Sequence, residues 1–338
     1  MSEFRKIIEY MCEAKELPDS IATKAFTLIM SGQVNDASIA GFLTSLRTIG
    51  ETEAIITAGA KVLRSRLTPV DAPDGAIDTC GTGGDAKGSL NISTAVAIVA
   101  AGAGAVIAKH GNKALSSKSG SSEVLEKLGV KLSQPTGGVE ACMKEAGIGF
   151  MFAPAHHLAM KHVALARSEL GIRTIFNLLG PLSNPAGTKR QLLGVFDQKW
   201  LTPMAQTLAN LGAVKAWIVC GDDGMDELTT TTTSKVAALQ NGNITSFTID
   251  PVKYGIPLCR PEDLAGGSPT QNAKAITRLL DGETGAYRDI VTLNTGAALL
   301  VADIVPDLEQ GIAKAKAVID DGQAKRALSK LVAVSNQS

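Results

Sequence analysis

The sequence has no CxxC pair and no cluster of cysteines. Its five, Cys12, Cys80, Cys142, Cys220 and Cys259, are far apart and odd in number. That excludes a disulfide framework or a structural zinc site and points to free thiols in a reducing compartment. Neither charge is in excess, because 33 Lys and Arg balance 33 Asp and Glu. A chain so balanced has no basic surface with which to hold a nucleic acid by electrostatics alone, and a small-molecule partner fits better. The longest apolar run, Ala95 to Ala108, is broken by Gly102 and Gly104 and falls short of the roughly 20 residues that cross a bilayer. The first residues, MSEFRKIIEYMCEAKEL, are amphipathic and charged throughout, without the apolar centre of a signal peptide, so the expected compartment is the cytoplasm. There is no internal repeat and no low-complexity tract.

Several catalytic signatures are missing as well. The glycine-rich stretch IDTCGTGGDAKGSLNIST (Ile77 to Thr94) lacks the Gly-Lys-Ser/Thr ending of a Walker loop and the G-x-G-x-x-G spacing of a dinucleotide fingerprint. No HExxH occurs, and the spacing of His157 and His162 does not put both on one helix face, so His156, His157 and His162 read as structural rather than zinc-binding. No Ser-His-Asp or Cys-His arrangement emerges, and Cys80, inside a strand, reads as a packing residue.

What is present begins with that same stretch, an apolar strand running into a glycine turn and then a helix. Gly81, Gly83 and Gly84 let backbone N–H groups approach an anion that a Cβ would keep away. Asn91, Ser93 and Thr94 stand at the mouth of the following helix, where free amides, hydroxyls and the positive end of the dipole converge. The stretch reads as a phosphate cradle. Alone, it is equally well a tight turn with an ordinary N-cap.

At 338 residues the chain can fill one large core and a smaller satellite. From Ser2 to about Thr68 apolar residues recur at helical spacing (Ile7, Ile8, Met11; Ile21, Ala25, Leu28, Ile29; Ile39, Phe42, Leu43, Leu46; Ile55, Ile56, Ala60, Leu63), which predicts four short helices with no strand among them. A linker, Thr68 to Gly75, follows. Beyond it β-rich runs at 76–80, 105–109, 148–152, 192–196 and 216–220 alternate with helical stretches at 121–128, 136–146 and 200–211, and further helices are expected at 272–280 and 295–304. The expected fold is therefore α/β, with a mostly parallel sheet flanked by helices and a small all-helical N-terminal domain. The expected division is 1–68 and 75–338. The segment 167–185, helical but closed by two prolines, is expected to cross back to the helical part.

In open α/β sheets ligands bind beyond the carboxyl ends of strands, and the chemistry-bearing motifs follow strands here. Asp226 and Glu227, in GDDGMDEL, are hard oxygen ligands of the kind that hold Mg²⁺ against a diphosphate, though a lone acidic pair is more often a solvated turn. Lys109, His110 and Asn112, with Ser116, Ser117, Ser119 and Ser121 behind them, supply a cation, an imidazole, a carboxamide and hydroxyls suited to a phosphosugar. Arg167 could grip a carboxylate in two hydrogen bonds; taken alone, a surface ion pair explains it as well.

The combination of DTCGTGGD, LNIST, KHGN, SSKSGSSEVLEKLG, GFMFAPAHH, RTIFNLLGPLSNP and DGMDEL resembles the anthranilate phosphoribosyltransferase family over nearly the whole chain. The resemblance implies a homodimer formed through the helical domain. It also implies transfer of phosphoribose from phosphoribosyl pyrophosphate to the amine of anthranilate with Mg²⁺, a step of tryptophan biosynthesis. Carried over by motif, Gly81, Gly84, Asp85, Ser89, Asn91, Ile92, Ser93, Thr94, Lys109, His110, Gly111, Asn112, Lys113, Ala114, Leu115, Ser116, Ser117 and Ser121 would hold the donor. Gly81, Asn112 and Arg167 would contact anthranilate, Ser93, Asp226 and Glu227 would hold magnesium, and His110 would have at most an orienting role. Two positions depart from the family pattern: Lys113 replaces an arginine after KHGN, and Leu158 stands where a proline is common. A pyrimidine nucleoside phosphorylase has the same architecture, but the DGMDEL acids and the GTGGD loop favour a diphosphate donor. A nucleic-acid-binding relative would be basic, which this chain is not.

Overall fold

The computed structural model describes residues 3–13, 16–83, 87–113 and 119–337. The expected site residues Gly84, Asp85, Ala114, Leu115, Ser116 and Ser117 lie outside them. Four helices come first, α1 (Glu3–Glu13), α2 (Asp19–Met30), α3 (Asp36–Ile49) and α4 (Glu53–Arg64). The Asn35 side chain caps α3 by accepting from Ser38 N at 2.9 Å, and Thr52 caps α4 by accepting from Ile55 N at 3.4 Å, so these two polar residues set where the apolar periodicity starts to be helical. Gly50, at φ 107°, ends α3 in a conformation open to glycine.

Seven strands then form one sheet: β1 (Ile77–Gly81), β2 (Ile107–Gly111), β3 (Ile148–Phe152), β4 (Arg190–Gly194), β5 (Lys215–Gly221), β6 (Ser234–Gln240) and β7 (Asn243–Ile249). Their order is β3-β2-β1-β4-β5-β6-β7, parallel through β5 and antiparallel from β5 to β7. The chain first builds outward from β1 to β3 and then returns to place β4 on the other side of β1, so the strand order reverses between β1 and β4. In doubly wound sheets the crevice beyond the carboxyl ends of the strands at such a reversal is where ligands bind.

The sheet differs from expectation in three places. β6 and β7 were not anticipated, although Asn241-Gly242 between them, with φ 49° and 83°, is a two-residue hairpin turn that only such residues adopt easily. β2 runs past the expected 105–109 to include His110 and Gly111, because pairing with β3 continues to Gly111↔Phe152. β4 begins two residues before its apolar run, at Arg190, which pairs with Ile77.

The remaining helices are α5 (Ile92–Gly102), α6 (Ser121–Lys127), α7 (Thr136–Ala146), α8 (Ala153–His156), α9 (Lys161–Leu170), α10 (Ile175–Leu179), α11 (Leu201–Asn210), α12 (Pro269–Leu280), α13 (Ala286–Val301), α14 (Leu308–Asp320) and α15 (Gln323–Gln337). The last two were not anticipated, and α13 starts well before Thr295. Its buried Thr292, Asn294 and Thr295 interrupt the apolar pattern by which a helix is read. One apolar core joins α5 and α12 to α15 to one face of the sheet. A second runs from the N-terminal helices through α9, α10 and α11 to Leu193, Ile218 and Leu239 on the opposite face. Phe26 of α2 sits edge-on to Phe42 of α3 and Phe176 of α10 at 5.7 and 6.2 Å. Gly59 of α4 lies so close to Leu179 of α10 that a Cβ there would meet it at 2.9 Å. Among the described residues no helix is long and apolar enough to cross a membrane.

Candidate active site

At the point where the strand order reverses, both neighbouring strands end in glycine, Gly81 of β1 paired with Gly194 of β4. Each leaves room for the same residue. A Cβ on Gly81 would overlap the Asp226 carboxylate, and one on Gly194 would overlap the Asp226 backbone carbonyl. Asp226, carried on the connection between β5 and β6, thus drops into the crevice, where its Oδ2 accepts from Gly83 N at 2.8 Å. The glycine turn after β1 and the acidic connection after β5 meet directly.

The start of α5 faces the same place. Asn91 occupies its N-cap position, yet its side chain makes no capping bond to the helix. It turns sideways instead: Asn91 Oδ1 accepts from Ser119 Oγ at 3.2 Å and from Asn272 Nδ2 at 2.7 Å, and its carbonyl accepts from Tyr287 Oη at 3.1 Å. The first-turn amides of α5 therefore have no side-chain cap, which leaves the positive end of the helix available to an anion. Thr94, just inside, has a buried hydroxyl with no hydrogen-bond partner among the described residues. Ser89 pairs with Ala265 as an isolated bridge, and Ile92 is buried in the core.

Lys109, near the end of β2, is only 2% exposed. Its Nζ donates to the Thr79 carbonyl at 2.5 Å and to Ser93 Oγ at 3.3 Å, both neutral acceptors. Burial lowers its pKa, against the pull of Asp78, Cys80 and Glu227. Glu227 also raises the phenol pKa of Tyr287, after burial, which places these side chains in one electrostatic neighbourhood. Burial pushes the Cys80 thiol well up, with the Asp78 charge adding to it, so the thiol stays protonated and inert.

His110 meets His157 with Nε2 atoms 3.1 Å apart. One ring must donate and the other accept, so at least one is neutral. Burial holds both well below the usual histidine range, His157 at about 4, each with help from a neighbouring histidine. His156 instead contacts the Thr68 carbonyl through Nδ1 at 3.1 Å, tying the linker to α8. Asn112 and Lys113 are exposed, and the Asn112 carbonyl accepts from Ser121 Oγ at 3.4 Å. Gly111 is required here, since a Cβ would meet Ser121 Oγ and the Phe150 ring.

The structure thus gathers Gly81, Asn91, Ser93, Lys109 and Asp226 at one end of the sheet. It does not bring Arg167 into hydrogen bonding with them among the described residues. Arg167 lies on α9, half-buried, 5.5 Å from the centre of the Phe176 ring, and burial lowers its pKa. Sequence reasoning missed the residues that hold the cluster from behind. Asp78 accepts from His110 N at 3.2 Å and from Asn184 Nδ2 at 2.7 Å, while Asn184 also donates to the Ala108 carbonyl at 2.9 Å. Asn272 and Tyr287 come from far along the chain and carry no local signal.

The oxygen donors present suit Mg²⁺. Among the described residues no three His, Cys, Asp or Glu side chains close into a cage. A hydroxyl, Ser93 Oγ, and two adjacent carboxylates, Asp226 and Glu227, match an ion that keeps waters and substrate oxygens in its shell rather than an all-protein site.

Comparison with known proteins gives this arrangement its lineage. Residues 73–325 match the glycosyl transferase family a/b domain, and residues 5–67 match the helical bundle domain of the same family. The anthranilate phosphoribosyltransferase of Maricaulis maris is 57% identical over 318 residues, covering 94% of each chain. This chain belongs to the anthranilate phosphoribosyltransferase family. The crystal structure of the Thermus thermophilus enzyme superposes with a TM-score of 0.92 at 40% identity, covering 99% of this chain and 100% of that one. The Saccharomyces cerevisiae enzyme, solved with phosphoribosyl pyrophosphate and Mg, gives 0.89 at 28% identity over 100% and 99% of the two chains. The yeast enzyme has also been solved with 4-fluoroanthranilate, at a TM-score of 0.89, 25% identity and coverage of 99% of each chain.

Proposed function

We propose that this chain transfers the phosphoribosyl group of phosphoribosyl pyrophosphate to the amine of anthranilate, releasing pyrophosphate, in tryptophan biosynthesis. The observation that carries the reading is the meeting of the glycine turn, the uncapped start of α5, Lys109 and Asp226 in the crevice between β1 and β4. The described amides of the turn, those at the start of α5 and the Lys109 ammonium bind the phosphates of the donor, with Ser89, Asn91, Thr94, Asn112, Lys113 and Ser121 around them. Gly84, Asp85 and the serines at 116 and 117 join this set by family motif.

Ser93, Asp226 and Glu227 would hold Mg²⁺. When bound, the ion neutralises charge on the departing pyrophosphate. The sugar's C1–O bond to pyrophosphate breaks as a C1–N bond to anthranilate forms, and the amine then passes one proton to the departing pyrophosphate or to water. The aromatic amine is already a competent nucleophile, so the protein's work is to fix the two reactants, stabilise the leaving group and keep water out. Burial holds His110 and His157 well below the usual histidine range, which makes them weak bases suited to orienting a reactant. Arg167 grips the carboxylate of anthranilate, and Gly81 and Asn112 touch its ring from the strand ends.

The domains divide at 1–68 and 75–338, with 167–185 belonging structurally to the helical part. Two chains pair through that part in the cytoplasm, and sedimentation at micromolar concentration will show a dimer rather than a 35.0 kDa monomer. The test of the function is the loss of anthranilate fluorescence in the presence of phosphoribosyl pyrophosphate and Mg²⁺. Loss that requires all three components is the expected result. No loss with the protein, phosphoribosyl pyrophosphate and millimolar Mg²⁺ all present contradicts the reading.

A further inference from the structure

Asp226 and Glu227 sit on a twelve-residue connection, 222–233, between two antiparallel strands. Loops of that length are ordinarily adaptable, yet both residues flanking the acidic pair are fastened. On one side Met225 N donates to Asp223 Oδ1 at 3.0 Å, and Met225 is itself buried. Asp223 is braced in turn, its Oδ2 accepting from Thr231 Oγ1 at 2.6 Å and from Thr229 Oγ1 at 3.0 Å. Gly221 makes the space, since a Cβ there would overlap Asp223 Oδ1. On the other side Leu228 N donates to Asn294 Oδ1 at 2.9 Å, and Asn294 Nδ2 returns a bond to the Leu228 carbonyl at 2.8 Å. Asn294 is fully buried on α13, with a further bond to the Ile290 carbonyl at 2.9 Å.

We propose that Asp223 and Asn294 are positioning residues, a two-point clamp that fixes the backbone on either side of Asp226 and Glu227 so that both carboxylates are presented to Mg²⁺. The inference rests on the reading of those acids given above. Groups that orient metal ligands without touching the ion commonly govern affinity by 10- to 100-fold, and here the orientation is of the chain that carries the ligands. A carboxylate spent on bracing a turn also accounts for why three acids stand in DDGMDE besides Glu227. Asp226 meets the crevice, whereas Asp223 faces back into its own loop. Asp222 braces the strand end, accepting from Gln198 Nε2 at 2.7 Å and from Thr233 Oγ1.

The test titrates Mn²⁺ into the protein with inorganic pyrophosphate present, following free Mn²⁺ by electron paramagnetic resonance, alongside the Mg²⁺ dependence of turnover. Asp223→Ala and Asn294→Leu should weaken Mn²⁺ binding about tenfold or more. They should raise the half-saturating Mg²⁺ by the same factor, and shift the KM for anthranilate by less than about twofold. Thr231→Val, which removes only a brace of Asp223, and Asp223→Asn, which keeps an acceptor oxygen, should fall in between and carry the test if a larger change fails to fold. Gln198→Ala, which loosens the same connection at Asp222, should lower stability and leave Mn²⁺ binding alone. Wild-type Mn²⁺ binding in Asp223→Ala or Thr231→Val overturns the clamp, as does equal weakening in Gln198→Ala. If instead Asp226→Asn with Glu227→Gln binds Mn²⁺ as the wild type does, the metal reading itself falls and the clamp falls with it.

Discussion

The two ends of the parallel sheet treat their cations in opposite ways. At the amino ends of β4 and β5, Arg190 and Lys215 both pair with Asp303 at 2.6 Å and donate to the Val301 and Leu300 carbonyls at the end of α13, at 2.8 and 2.6 Å. Both of these cations are answered by the protein, and the cluster ties a helix end to two strands. At the carboxyl ends Lys109 is buried, and among the described residues its hydrogen bonds go to a carbonyl and a hydroxyl rather than to a carboxylate. Burying a cation is costly, and the charges that favour it here, Asp78 first and Glu227 after it, act without a described hydrogen bond to its ammonium. An end built for structure neutralises itself, whereas an end built for an anionic ligand leaves its neutralisation to that ligand. This contrast supports the proposal that phosphates bind at the carboxyl end.

The largest expected effect comes from removing the acids that complete the carboxyl end. Asp226→Asn with Glu227→Gln should reduce Mg²⁺-dependent turnover to below about one-thousandth, the loss of several kcal/mol of charge stabilisation, while circular dichroism shows an intact fold. Activity near the wild-type level at ordinary Mg²⁺ would break the assignment. Next, Arg167→Ala should raise the KM for anthranilate by roughly tenfold to a hundredfold, the equivalent of about 1.5–3 kcal/mol for a charge-assisted pair, with little change for the donor. A rise in the donor's KM instead would move Arg167 to the phosphate side.

The amino end should respond in stability alone. Asp303→Asn strands two cations, but the carboxylate is half exposed and screened, so a drop in Tm of about 1–3 °C with unchanged kinetics is expected. The Lys215 hydrogen bond holds the Asp303 carboxyl below its ordinary value. Its contribution is therefore present at neutral pH and lost as pH falls through that depressed value, and the variant should lack this acid-dependent step. The smallest effect concerns the histidine pair. With His157 held neutral down to about 4 from an ordinary 6.5, the unfolded chain binds more protons between those values, so stability should fall as pH drops through that window. His157→Gln should flatten thermal stability over the same range. An unchanged slope would show that His157 does not titrate as its burial requires.

Much of this was legible in the sequence. Gly81, Lys109 and Asp226 each end or follow an apolar strand, and strand-end chemistry in a parallel sheet has only one edge to occupy. The alternation of runs announced the parallel part, but β6 and β7 escaped because a strand such as Asn-Ile-Thr-Ser-Phe-Thr-Ile, exposed at a sheet edge, shows little apolar content. α13 was cut short for the opposite reason, since Asn294 is polar and fully buried. The supports of the site were illegible on the same ground: Asp78, Asn184, Asn272 and Asn294 act through contacts between segments far apart in the chain, and no local spacing encodes such a contact. Asn91 reads locally as a cap and is not one, because Ser119 and Asn272 compete for its side chain.

The contrast between the two ends is tested most directly by the rise in Tm on adding phosphoribosyl pyrophosphate and Mg²⁺ to three proteins. The wild type and Asp303→Asn should gain the same increment, and Lys109→Met should lose most of it, with each shift measured from that protein's own unliganded Tm because Asp78 loses its neighbouring cation. An undiminished shift in Lys109→Met would contradict the claim that the carboxyl end awaits an anion to answer that charge.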